Sequence, residues 1–497
     1  MNSLRECSIK PIKGKTPQDI THWQSDYPIV SKKSLNGDGE KGIAVMRRDT
    51  KDTSARHRTG QQMTTKLVSL TLRARGNPKS KFISLSHILR EDFLKGCFWE
   101  LKRDKASGID GVSVKDYEVS LDENLKDLVR RLKTKSYRPQ PARRVYIPKP
   151  NGKKRPLGIP SVEDKIVQMG LKKILEAIFE VDFIDVSFGF RPNKNCHSAL
   201  AVLNKAVMSK PVNFVVDMDI KEFFDTIDHS WLMKCLEVRI KDTGLLRLIA
   251  RFLKAGIMEE GKFIETDRGT PQGGVLSPLL ANIYLHHILD LWFVRAVKKQ
   301  LKGFAQLIRY ADDFVVLFQS GREAKDFSRM LKQRLGRFGL EIAEDKSRII
   351  EFGRYVWQKA QQEGAKVATF DFLALTHYCA RARSGKFKLG RRTASSKFRQ
   401  KMKAMNIWLK DVRNAMKLKE WWSLLELKLM GHYRYYGVSD NSYAINAFYN
   451  QTLRLVYKWI NRRSQKKSYN WAQFWRFLKF NPLPKPRIYQ TLYTLLT

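Results

Sequence analysis

"RYADDFVVLF", residues 309–318, sets two aspartates, Asp312 and Asp313, between an aromatic residue and a run of β-branched and aromatic residues. Asp favours turns, and the apolar runs on either side need a turn to form a hairpin, so taken alone the pair reads as ordinary turn residues. The alternative is a cation site, and that requires further carboxylates elsewhere in the chain. "NFVVDMDIKEFFDTIDH", residues 213–229, supplies Asp217, Asp219, Asp225 and Asp228. On a strand, Asp217 and Asp219 project to one face, opposite Val216 and Met218. A solvated edge strand explains a lone DxD pattern. If instead this strand lies beside the Asp312–Asp313 hairpin, Asp219 completes a hard, oxygen-only set suited to Mg²⁺. Two such ions roughly 4 Å apart stabilise the attacking and leaving oxygens of a phosphoryl transfer.

The composition points to a polyanionic partner. Of 497 residues, 93 are Lys or Arg and 49 are Asp or Glu, a formal net charge of +44 that repels itself unless another molecule neutralises it. Nucleic acid fits best. A membrane surface would call for a basic amphipathic helix or an anchor, and no apolar run approaches the roughly 18 residues of a spanning segment. The N-terminus has no apolar signal core. Five cysteines, Cys7, Cys97, Cys196, Cys235 and Cys379, form no CxxC pair and read as reduced thiols. These features predict a cytoplasmic protein that is not secreted.

Residues 1–80 read as a basic extension, largely loop or ordered on binding. From Phe82 helical spacing begins, followed by "RRVYIPKPNGKKRPLGIPS", a hairpin with a basic tip, and by a helix presenting Val167, Leu171, Ile174, Leu175 and Ile178 on one face. "NFVVDMDI" and "LIRYADDFVVLF" read as buried strands. In "DRGTPQGGVLSPLLANIYLH", residues 267–286, Pro271–Gly274 punctuate the chain before a helix with Ser277 as N-cap and Pro278 in the first turn. The glycines leave backbone open to a sugar or base, with Gln272 as donor and acceptor. Residues 381–410 carry eleven Lys or Arg and no acid, with Phe387, Phe398 and Trp408 interspersed, a pattern suited to phosphate contacts and stacking. The rest of the chain has helical spacing, many aromatics and no internal repeat.

The order "DIKEFFDTIDH", "GTPQGGVLSPLLANIYL", "RYADDFVVL", "GLEIAEDKS" resembles the palm of a reverse transcriptase, and more closely that of group II intron reverse transcriptase/maturases. "KASGIDGVS", "YIPKPNGKKRPLGIPSVEDKIVQ" and "SFGFRPNKNCHSAL" are similar to that family's finger blocks. "GHYRYYGV", "RLVYKWINRRSQKKSYNW" and "NPLPKPRIY" are similar to its thumb, or maturase X domain. The resemblance runs from about residue 85 to the end. It implies an α+β right-hand polymerase: fingers at 81–211, a palm with a small antiparallel sheet at 212–380, and an all-helical thumb at 381–497.

The resemblance also assigns roles. Asp219, Asp312 and Asp313 would hold two Mg²⁺ ions, replaceable by Mn²⁺, assisted by the carbonyl of Ile220. Phe224 would exclude the 2′-hydroxyl of a ribonucleotide, Lys149 and Arg155 would hold the triphosphate, and Gln272 would touch the nucleotide. Lys346 would protonate pyrophosphate, although it reads equally as a solvated turn lysine. Arg381, Arg383, Lys386, Lys388, Arg391, Arg392, Lys397, Arg399, Lys401 and Lys403 would bind nucleic acid. Asn193-Lys194 stands where the family commonly has Gly-Arg. Ala374 stands where it commonly has Gly in the primer-grip hairpin, which bears on how the primer end is held. No Cys pairs or HNH-like cluster follow the thumb, so no fused endonuclease is expected. The implied function is RNA-directed DNA synthesis on structured intron RNA, template, DNA primer and dNTPs, with assistance to splicing and target-primed mobility. The oligomeric state is open between monomer and homodimer. The alternatives are a reverse transcriptase serving CRISPR adaptation or phage defence, and a mainly non-catalytic RNA-binding splicing factor.

Overall fold

A computed structural model of the chain describes residues 53–148, 154–271, 273–463 and 468–493, with 53–64 as backbone only. In chain order the strands are β1 (Ala142–Pro148), β2 (Lys154–Ile159), β3 (Phe214–Met218), β4 (Ile257–Glu259), β5 (Lys262–Ile264), β6 (Ala305–Tyr310), β7 (Asp313–Phe318), β8 (Arg348–Glu351), β9 (Phe370–Phe372), β10 (Leu375–Arg381) and β11 (Phe387–Thr393). The fold is mixed α+β, with small, mainly antiparallel sheets and helices dominating the C-terminal part. No helix among the described residues is long and apolar enough to cross a membrane.

The first of two compact units comprises residues up to Asp185, Lys221–Lys299 and Gln333–Glu341. Its sheet has the order β2-β1-β4-β5, with β1 and β2 forming the expected hairpin, from Arg143↔Ile159 to Pro148↔Lys154, and β1 parallel to β4. The hairpin leads into a helix at Val162–Phe179, capped by Ser161, whose hydroxyl accepts from the Asp164 amide. Val167, Leu171, Ile174, Leu175 and Ile178 are all fully buried on it. Two expectations are corrected here. Residues 53–76, read as loop, form one helix, Thr53–Gly76, because tertiary packing against the helices at Glu91–Trp99 and Val162–Phe179 outweighs a weak local signal. Ser277 is the first helical residue rather than the cap. Leu276 takes the cap position, and the Ser277 hydroxyl donates to the carbonyl of Pro271 at 2.9 Å.

The second unit comprises Val186–Ile220, Gln300–Lys332 and residues from Ile342 on. Its main sheet, β6-β7-β3-β8, is antiparallel throughout. Because β7 and β8 flank β3, the acid-bearing strand is internal and not an edge. The edge at β6 is extended by residues 186–188, through Arg309 N to Val186 O and Phe188 N to Arg309 O, both 2.9 Å. A second sheet, β11-β10-β9, packs into one continuous apolar core with the helix Cys196–Ser209 and the helices Ser395–Ala415, Leu418–Tyr436, Ser442–Ile460 and Trp471–Phe480. The expected all-helical stretch from 381 therefore begins with a strand. β11 alternates buried Phe387, Leu389, Arg391 and Thr393 with more exposed neighbours apart from Gly390, a period of two that charge counting obscures.

Candidate active site

The site is built at one end of the β6-β7-β3-β8 sheet. β3 pairs with β7 from Phe214↔Phe318 to Met218↔Phe314, so the first residue after β3 and the first residue of β7 stand at the same end. Those residues are Asp219 and Asp313. Tyr310 pairs with Asp313, leaving Ala311 and Asp312 as a two-residue hairpin turn. Ala311 has φ +57°, a left-handed conformation that costs an alanine about 1–2 kcal/mol. It is held there by Arg309, fully buried, whose guanidinium donates to the Ala311 carbonyl at 2.9 Å.

Gly189 lies against that turn. A methyl group added to it would stand 2.3 Å from the Ala311 amide nitrogen and 2.9 Å from the Tyr310 carbonyl carbon. These are backbone atoms of a paired hairpin and cannot step aside. Gly189→Ala should therefore lower the unfolding free energy by about 1–3 kcal/mol, the usual cost of overpacking. An unchanged denaturation midpoint would show that the contact is slack.

Asp313 opens to solvent at its edge, yet its carboxyl is pushed up to about 7, first by burial among surrounding protein atoms and then by the charges of Asp217 and Asp312. Asp217 is raised to about 6, again chiefly by burial, although Arg348 lies 3.4 Å away across the β3–β8 pair. Asp371, on β9, is a further acid felt by Asp217. Sequence reading did not single it out, and a lone acid in "FDFLAL" gives no signal before β9 is known to lie near β7. Asp219 makes an ion pair with Lys346 at 2.9 Å, while its carbonyl accepts from the Ala343 amide at 2.8 Å. The ammonium of Lys346 is held more strongly protonated by that bond and by the carboxylate charge.

Among the described residues, no three acidic, histidine or cysteine side chains meet in a preformed ion cage. The donor set nonetheless suits a hard divalent cation. It is oxygen-only, and a bound cation offsets the burial and the neighbouring negative charges that raise Asp217 and Asp313. Ile220 bridges to Ile342 beside Asp219.

The remaining site residues assigned from sequence divide by unit. Asp219, Ile220, Asp312, Asp313 and Lys346 fall in the second unit, Arg155 and Phe224 in the first. Arg155 is exposed on β2, opposite Ile147, whereas Lys149 and Gln272 lie outside the described residues. Phe223 is buried and fills the core. Phe224 stays partly open, its ring edge-on to Phe223 at 5.4 Å. The Phe224 carbonyl accepts from the Thr270 amide at 2.7 Å, and Gly269, at φ +84°, lets the two segments close: a methyl there would meet the Asp225 carbonyl oxygen at 2.8 Å.

In the basic stretch, Arg381, Arg383, Lys386, Arg392, Lys397, Arg399, Lys401 and Lys403 are exposed. Lys388 is half-buried and paired with Asp440 at 2.7 Å. Arg391 is a correction: it is fully buried, donates to the side-chain oxygen of Asn204 and lies 3.6 Å from Asp440, so its charge is used within the fold. Asn193 has φ +57°, which accounts for asparagine where the family commonly has glycine, since Asn is the side chain that best tolerates the left-handed region.

Sequence comparison now bears on this sheet and its carboxylates. Residues 147–377, which contain both acidic segments, match the reverse transcriptase (RNA-dependent DNA polymerase) family. This segment is similar to a reverse transcriptase domain. Around it, the chain is 43% identical over 203 residues to the group II intron-encoded protein LtrA of Lactococcus lactis subsp. cremoris, covering 41% of this chain and 34% of that protein. It is 38% identical over 238 residues to protein YkfC of Escherichia coli (strain K12), covering 42% of this chain and 62% of that protein. It is also 31% identical over 134 residues to nuclear intron maturase 4, mitochondrial, of Arabidopsis thaliana, covering 27% and 16%. The matches thus span about a third of the Lactococcus protein. The similarity to group II intron-encoded proteins inferred from motif order is matched by the Lactococcus protein, and the segment similar to reverse transcriptases carries the aspartates.

Proposed function

We propose that the chain is an RNA-directed DNA polymerase of the group II intron type, which copies RNA into DNA from a primer 3′ end and also binds structured intron RNA to assist splicing and mobility. One observation carries this reading: Asp219 and the Asp312–Asp313 pair stand at the same end of adjacent internal strands within a segment similar to a reverse transcriptase domain. In the proposed right-hand arrangement, residues 81–211 serve as fingers, 212–380 as palm and 381–497 as thumb, with 1–80 a basic extension.

Asp219, Asp312 and Asp313, with the Ile220 carbonyl, would hold two Mg²⁺ ions, for which Mn²⁺ can substitute. When bound, such ions activate the primer 3′ oxygen and neutralise charge on the leaving pyrophosphate. The chain's own groups do the rest. Arg155 and Lys149 pair with triphosphate oxygens, Arg155 with the planar fork that matches them. Gln272 contacts the nucleotide. Lys346, once Asp219 is engaged elsewhere, has an ammonium free to give a proton to the departing phosphate. Phe224 would exclude the 2′-hydroxyl of a ribonucleotide and admit deoxyribose.

The test is extension of a DNA primer on an RNA template by the full chain with Mg²⁺ and dNTPs; no extension sinks the reading. Phe224→Ala should weaken the preference for dNTPs over rNTPs by roughly 10–200-fold, the range a single steric group supports. An unaltered preference would remove Phe224 from the gate. The intact carboxylate set argues against a purely RNA-binding role, which has no use for it.

A further inference from the structure

We propose that His229 is a positioning residue for Phe224, acting through the peptide that joins Gly269 to Thr270; this rests on the reading of Phe224 as the sugar gate. Phe224 stands on a single helical turn, Phe223–Thr226, entered from Glu222 at φ +46°. One turn is too short to hold itself, and a left-handed glutamate adds strain. The backbone around Phe224 therefore depends on bonds from outside the turn.

Two amides of the segment 268–270 supply them, and all these residues lie within the first unit. The Gly269 amide donates to the Ile227 carbonyl and the Thr270 amide to the Phe224 carbonyl, both at 2.7 Å. The Thr270 N–H belongs to the same rigid plane as the Gly269 carbonyl, and in a trans peptide the two point in opposite directions. His229 Nε2 lies 2.7 Å from that carbonyl oxygen. A carbonyl only accepts, so Nε2 carries the proton and donates. One plane is thus pinned at both ends, by the imidazole at its oxygen and by the Phe224 carbonyl at its hydrogen.

The pin matters because the plane follows a glycine. Gly269 has φ +84°, and a methyl there would stand 2.9 Å from the Phe224 carbonyl oxygen, so no residue with a β-carbon fits. The freedom that lets glycine take this conformation also lets the adjoining peptide swing, and a swing breaks the bond to Phe224. The imidazole opposes it from a fixed place. His229 is buried and opens the helix His229–Glu237, where the Asp228 carboxylate accepts from the Trp231 amide at 3.0 Å. The bond from His229 also polarises the peptide and strengthens its N–H as a donor. Phe223 braces the ring of Phe224 edge-on, and the clamp fixes the backbone from which that ring projects. A gate works by position, and a misplacement of about 1 Å changes rates by orders of magnitude.

The experiment measures kcat/KM for a dNTP and for the matching rNTP in primer extension on RNA by the full chain. His229→Leu keeps apolar volume and removes the donor. Its preference for dNTP over rNTP should fall about 10-fold, the lower end of what one steric group supports, through a rise in kcat/KM for the rNTP. A merely destabilised protein loses both substrates alike, and the folded fraction cancels from the ratio. His229→Gln, whose amide can donate to the same carbonyl, should regain about half of the lost preference or more on a logarithmic scale. In the Phe224→Ala background, His229→Leu should change the ratio by less than about twofold, because the two residues act as one unit. A wild-type ratio in His229→Leu overturns the proposal, and so does a fall of the same size when Phe224 is already alanine. If Phe224→Ala itself leaves the preference unaltered, the gate reading fails and this inference goes with it. A relaxed Phe224→Ala beside an unaltered His229→Leu removes only the role of His229.

Discussion

Asp312→Ala should abolish primer extension on RNA, with a loss of roughly 10³-fold or more, while the chain stays folded. The reasoning is electrostatic. Groups aimed at developing charge account for several kcal/mol of barrier each, and about 1.4 kcal/mol is a factor of ten. Asp312 sits in a hairpin turn and is not fully buried, so its replacement opens no cavity. Its removal also takes away one of the charges that raise Asp313. A carboxyl whose pKa is raised on folding contributes its full stability below its unfolded value, near 4, and loses it as the pH climbs through about 7. At pH 8 without metal, the variant should therefore unfold at a temperature equal to or above that of wild type. Full activity in Asp312→Ala would refute the site. Lost activity with a lowered melting temperature would point instead to a damaged hairpin.

Affinity for structured RNA should fall roughly 10³–10⁴-fold between 50 and 200 mM salt, as expected when six to eight phosphates are neutralised and their counterions released. The exposed set of Arg381, Arg383, Lys386, Arg392, Lys397, Arg399, Lys401 and Lys403 can supply that number without Arg391 or Lys388. Replacing two of the exposed residues by Ala should shallow the logarithmic salt slope by about two. A slope that stays flat from low to physiological salt would show that RNA is held by something other than this surface.

Much of the site could be read from the sequence because its residues are local. The alternation in "NFVVDMDI" and the turn in "RYADDF" fix which acids share a sheet end, and only the direct pairing of β3 with β7 had to come from three dimensions. What could not be read was non-local. No pattern around Gly189 reveals that Ala311 packs on it, and nothing near Asp371 signals that β9 approaches β7. Arg391 shows the limit most clearly. In a run of eleven basic residues its type suggests phosphate, whereas its place on β11, opposite His377 and beside Asn204, puts it inside. The helix at Thr53–Gly76 likewise arises from packing partners more than a dozen residues away.

The two strands that carry the aspartates are both internal to their sheet, with β6 and β8 at the flanks. Edge strands and hairpin tips open at little free-energy cost, whereas internal strands exchange their amide protons only when the whole cooperative unit comes apart. Asp219 and Asp313 thus stand at the ends of internal strands of the second unit, with Asp312 in the turn beside them. Because the main sheet shares one apolar core with the C-terminal helices, denaturant should dissolve both together, and the two activities proposed for this chain should be lost at one denaturant concentration.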